Sequence, residues 1–96
     1  MQHYSRTKDE MILHYIARMQ AHNRVGGNQL WKKMEMGRVV EGRTWQSMRN
    51  RFHRILINAI GEGETYNLTE EQIFLFINRG EIEDGGEEGA DEEGVD

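Results

Sequence analysis

Apolar positions recur along the first sixty residues at helical spacing, and glycine-containing turns separate the runs. Met11, Ile12, Tyr15, Ile16 and Met19 fall at i, i+1, i+4, i+5 and i+8, one face of a 3.6-residue repeat. This predicts a first helix from about Arg6 to Ala21. Two N-caps compete for its start: Ser5, or Thr7 with Glu10 three residues on as a capping box. Asn23-Arg24-Val25-Gly26-Gly27 reads as a turn, because paired glycines release the chain from helical geometry. A short second helix is expected over Gln29 to Met36, capped by Asn28 and burying Leu30, Trp31 and Met34. Gly37 ends it, and 37–42 forms a loop.

The third run is the most informative. With Thr44 as N-cap, a helix can extend to Ile60 before Gly61 stops it. At 100° per residue, Trp45, Met48, Phe52, Ile55, Leu56 and Ala59 share one stripe. The opposite stripe holds Gln46, Ser47, Asn50 and Arg54, bordered by Arg51 and His53. Arg49 lies nearer the apolar edge and should reach sideways rather than outward. Residues 61–67 read as a polar linker. Leu68 and Ile73 then frame Thr69 as a hydrophobic staple, and Gln72 closes a capping box, so a fourth helix is expected over Glu70–Arg79. The run Ile73-Phe74-Leu75-Phe76-Ile77 is apolar on every side and would also suit a strand; the capping signals favour helix.

The expected architecture is therefore all-α: a three-helix helix-turn-helix bundle over residues 1–60, a linker and short fourth helix over 61–80, and a disordered acidic tail over 81–96. The tail carries nine acids, four glycines and no base. At 96 residues there is room for one small domain. The chain has no cysteine, which excludes disulfides and thiolate metal sites. No apolar run approaches the roughly 20 residues of a membrane span, and the N-terminal residues lack the apolar stretch of a secretory signal.

Charge is unevenly distributed along the chain. The formal net charge of −5 divides sharply. Residues 1–60 hold eleven Lys/Arg against four acids, a net +7, and residues 61–96 hold one Arg against thirteen acids, a net −12. The basic part is thus suited to a polyanion even though the whole chain is acidic. Small helix-turn-helix domains lay the last helix of the bundle in the DNA major groove, where outward side chains meet base edges. On that reading Gln46, Ser47, Asn50 and Arg54 contact bases: Asn50 suits an adenine edge and Arg54 guanine O6/N7. Arg6, Lys32, Lys33, Arg43 and Arg51 are placed to neutralise phosphates.

Other chemistries find little support. Trp31, Trp45 and Phe52 are expected in the core rather than stacked on bases. His3, His14, His22 and His53 lack metal-ligand spacing, and the acidic tail lacks a calcium-loop pattern. No nucleophile–base constellation or phosphate-cradling loop stands out, so neither an enzyme nor a cofactor is expected.

Tyr4-Ser5 with Asp9-Glu10-Met11-Ile12-Leu13, then Gly27-Asn28-Gln29-Leu30-Trp31-Lys32-Lys33-Met34-Glu35, then Thr44-Trp45-Gln46-Ser47-Met48-Arg49-Asn50-Arg51-Phe52, resembles the Myb/homeodomain-like module of the telomeric repressor–activator protein family. The resemblance covers roughly residues 4–58. It favours Ser5 as the first cap and implies a nuclear protein at chromosome ends. It also implies either direct binding of double-stranded telomeric repeats or association with telomere-complex proteins without DNA contact. The second alternative has its own motif in the sequence. Ile57 projects beside Asn50 on the wheel, and with Phe74 and Phe76 it marks a candidate protein interface. The fourth helix would pack near Ile57 and Ile60, or join two chains as a homodimer.

Overall fold

The computed structural model describes residues 4–79; the expected acidic tail lies outside them. Four helices, and no strand among the described residues, carry the fold. Helix α1 spans Arg6–Arg18, and Ser5 caps it by accepting from the Lys8 amide at 3.1 Å. Ser5 rather than Thr7 is therefore the cap. The helix stops short of Ala21: Gln20 takes a left-handed φ of 52°, which turns Ala21 into the core and starts a 3-10 turn at His22–Arg24. The buried side of α1 is also rotated from the expected one. Ile12, Leu13, Ile16 and Ala17 face the core, whereas Met11 and Met19 remain about half exposed.

Helix α2 spans Gln29–Met36 and buries Leu30, Trp31 and Met34. Asn28 precedes it without a side-chain capping bond. Thr44 accepts from the Ser47 amide at 3.1 Å and begins α3. This third helix runs as an α segment Trp45–Arg51, a π segment Phe52–Leu56 and a closing α segment Ile57–Gly61.

The π segment has a packing reason. The fully buried residues of α3 are Met48, Phe52 and Leu56, with Ile60 all but buried, spaced at every fourth position. In an ideal α-helix each step of four overshoots a full turn by about 40°, so such a stripe drifts off the core. One wider turn, with bonds closing five residues apart, takes back part of that drift. The consequence falls on Ile55, expected in the buried stripe: it is 45% exposed, while Leu56 takes the core position.

Helix α4 spans Glu70–Ile77 behind a complete Thr69–Gln72 capping box, with bonds of 2.9 and 3.1 Å. It ends before Arg79, whose guanidinium instead donates to the Phe76 carbonyl at 3.0 Å. Phe76 is fully buried against His22 (ring centroids 4.5 Å apart, edge-on) and Phe52 (6.0 Å). It belongs to this chain's own core and cannot serve as the partner-facing residue that the sequence suggested. Segment 61–67 is likewise more than a polar spacer. Tyr66 and Asn67 adopt successive left-handed conformations (φ 47° and 62°), and Tyr66 is buried on α1. His14 Nε2–H donates to the Tyr66 carbonyl at 3.0 Å, and the Asn67 amide donates to Glu10 at 3.0 Å.

Candidate nucleic-acid interface

Side-chain donors on α2 and α3 fix the third helix against the turn between α1 and α2. The Trp31 indole (3.0 Å) and His53 Nε2–H (2.8 Å) both donate to the Val25 carbonyl. Arg49 donates to the carbonyls of Gly26 (2.8 Å) and Gly27 (3.1 Å), the sideways reach its position on the wheel suggests. Three consecutive main-chain oxygens, which a turn leaves without helical partners, are thereby satisfied. On the other flank, Arg51 makes a two-pronged ion pair with Asp9 (3.0 and 2.8 Å). The Asp9 side chain is only 5% exposed, and the paired carboxylate holds the Arg51 guanidinium above its ordinary pKa. Such planar fork-on-fork pairs are directional as well as charged.

Between these anchors the four candidate base readers are not equivalent. Gln46, Asn50 and Arg54 are exposed. Ser47 is half-buried, and its hydroxyl lies 2.6 Å from the Tyr4 hydroxyl. Tyr4, missing from the expected site, lies across α3 with Arg43 stacked on its ring at 4.2 Å and Arg51 at 5.3 Å. Tyr4, Ser47, Asn50, Arg51, Arg54 and Ile55 line one open cleft of about 490 Å³. An N-terminal arm reaching a helix 43 residues later leaves no periodic signal; the cue was an aromatic just ahead of the first cap.

The expected phosphate contacts divide in the same way. Lys32 and Lys33 are exposed, with the Lys32 ammonium 5.3 Å from the Trp45 ring centre. Arg43 is partly buried over Tyr4. Arg6 is held by acids: it pairs with Glu10 at 3.3 Å and bonds closely to Glu64, which raises the pKa of Arg6 and lowers that of Glu64. Arg51 is held by Asp9. Arg6 and Arg51 therefore already have carboxylate partners, and of the three carboxylates only Glu10 is close in sequence to its arginine. Ile57 is partly buried against the core beside α4, so the exposed apolar residue on the α3 cleft is Ile55 instead. Phe74 is 61% exposed on the outer side of α4.

The three core helices, the turn gripped by α3 and the outward polar face of α3 define a Myb-like helix-turn-helix bundle. Residues 4–61 match the family profile described as the Rap1 Myb domain, and the chain belongs to that family. The family comprises DNA-binding and interaction modules rather than enzymes. Comparison with curated proteins and with solved structures gives no match.

Proposed function

We propose that the chain binds double-stranded telomeric DNA, with α3 in the major groove, and acts in the nucleus at chromosome ends among other telomere-complex proteins. One observation carries the reading: α3 is anchored on both flanks through Arg49, His53 and Arg51, and between those anchors it leaves Gln46, Asn50 and Arg54 exposed. A helix held this firmly presents hydrogen-bonding side chains to base edges with its backbone already ordered, so that only side-chain rotamers are fixed on contact. Ser47 joins them through a hydroxyl that Tyr4 orients. Lys32 and Lys33 are the phosphate contacts by their exposure, and Arg43 by its place over Tyr4 beside α3; Arg6 and Arg51 are held by carboxylates.

The reading is tested by fluorescence anisotropy against telomeric-repeat and scrambled duplexes over a salt series. Three phosphate contacts predict a slope of log K against log salt of about −3. Equal and negligible binding to both duplexes at low salt would remove the proposal.

A second reading, protein docking, is favoured by the outer side of α4. Phe74, Leu75 and Ile77 are 61%, 41% and 53% exposed there, next to Glu70 and Glu71 in the first turn. An apolar patch of this kind suits a partner or a second copy of the chain. Docking on it is nearly independent of salt, in contrast to DNA binding, and sedimentation separates a homodimer from a monomer.

A further inference from the structure

We infer that Ile55 is a sequence-reading residue, and that it recognises the C5-methyl group of a thymine in the major groove. The inference rests on the DNA-binding reading and extends it from polar to apolar recognition.

The π segment sets the position of Ile55. On a continuous α-helix Ile55 belongs to the stripe of Met48 and Phe52, and an isoleucine there would be core. The wide turn over Phe52–Leu56 gives the core position to Leu56 and leaves Ile55 45% exposed. A lone exposed isoleucine is ordinary on a protein surface. This one, however, shares a single cleft with Ser47, Asn50 and Arg54, three of the four candidate base readers. Arg51, the other cation lining the cleft on α3, is bound to Asp9 and leaves the position beside Ile55 without a competing charge from that side. The major groove offers one apolar feature, the thymine methyl, and aliphatic side chains meet it by simple contact. Single wide turns inside α-helices frequently mark functional positions for this reason: they re-aim one side chain without breaking the helix.

The geometry also predicts where the thymine lies. Ile55 lies five positions beyond Asn50, about 7.5 Å along the helix axis at 1.5 Å per residue. That distance corresponds to about two base-pair steps of 3.4 Å from the base that Asn50 reads.

The test uses the full chain and a duplex selected from a random pool for binding. Each thymine is replaced in turn by uracil, which removes the methyl and leaves the hydrogen-bonding edge unchanged. The base read by Asn50 is located separately, as the position at which Asn50→Ala loses discrimination. The expected result is a three- to fivefold loss of affinity at a thymine about two steps from that base, the size set by burying one methyl-sized group. In Ile55→Ala the uracil and thymine duplexes should bind equally, while Ile55→Val should retain most of the difference. Thermal unfolding of both variants should match the parent, since the side chain is outside the core. If the chain binds the selected duplex but no thymine shows a methyl effect that Ile55→Ala removes, the inference fails and DNA binding stands. Failure to bind any duplex from the pool overturns both.

Discussion

Helices α3 and α4 each press a phenylalanine into the core, Phe52 and Phe76, with ring centres 6.0 Å apart. Their outward faces are opposites. That of α3 is polar and cationic, with side-chain anchors on both flanks. That of α4 is apolar around Phe74, Leu75 and Ile77, and its fastening is a capping box, the buried Phe76 ring and the half-buried Ile73. Core packing and surface character are thus separable along one helix. In α3 they are divided between faces by a wide turn; in α4 the same kind of residue, phenylalanine, fills the core at 76 and meets solvent at 74.

The largest effect should come from emptying the contact that Phe52 and Phe76 share. Phe52→Ala and Phe76→Ala should each cost about 3–5 kcal/mol, the usual range for a buried phenylalanine. Urea unfolding monitored by both tryptophan fluorescence and circular dichroism should show one transition in each variant. A separate early transition in Phe76→Ala would mean that α4 is not part of the cooperative unit.

The flank of α3 comes next. Removing Arg51 leaves a buried Asp9 carboxylate without its partner, so Arg51→Ala should destabilise by about 1–3 kcal/mol, less than a fully enclosed pair because Arg51 keeps some exposure. Denaturation measures the loss, and duplex affinity per folded molecule should change little. A uniform loss of affinity with unchanged stability would return Arg51 to the phosphate contacts.

The outward face of α3 is probed by Asn50→Ala and Arg54→Ala, each of which should lose about 1–3 kcal/mol of discrimination between cognate and scrambled duplexes at unchanged stability. Smaller still is a pH effect at the foot of α4. His22 is buried against Phe76, Nε2 has no hydrogen-bond partner among the described residues, and burial lowers its pKa. The unfolded chain therefore binds the His22 proton more readily than the folded one. Its neutral form contributes fully above the unfolded value of about 6.5, and stability declines as pH falls through that value toward the lower folded pKa. His22→Phe should flatten this part of a melting-temperature profile. Least of all, Phe74→Asp should change unfolding free energy by no more than about 0.5 kcal/mol, while abolishing any self-association seen by sedimentation.

Local signals carried much of the fold. The caps Ser5, Thr44 and Thr69 with Gln72, and the stop at Gly61, are short-range chemistry and can be seen in a few residues of sequence. The exposed polar stripe of α3, with Gln46, Asn50 and Arg54, was legible in the same sense. What was hidden depended on distant partners. Asp9 claims Arg51 across 42 residues, Glu64 claims Arg6 across 58, and Tyr4 reaches Ser47 across 43. A helical wheel separates arginines by angle alone, so it set Arg49 apart but could not show that Arg51 is paired with a distant carboxylate. The wheel also assumes a constant turn, and at Phe52–Leu56 that assumption kept Ile55 in the buried stripe beside Leu56, although only Leu56 is buried.

The grip on the Val25, Gly26 and Gly27 carbonyls has a consequence for redesign. Its donors, Trp31, Arg49 and His53, bind main-chain oxygens, so the mounting of α3 does not depend on which side chains occupy positions 46, 50 and 54. Those three positions form a replaceable address on a fixed mount. A library randomised there should keep its fold in most members, and selection from it would act on recognition instead of on stability.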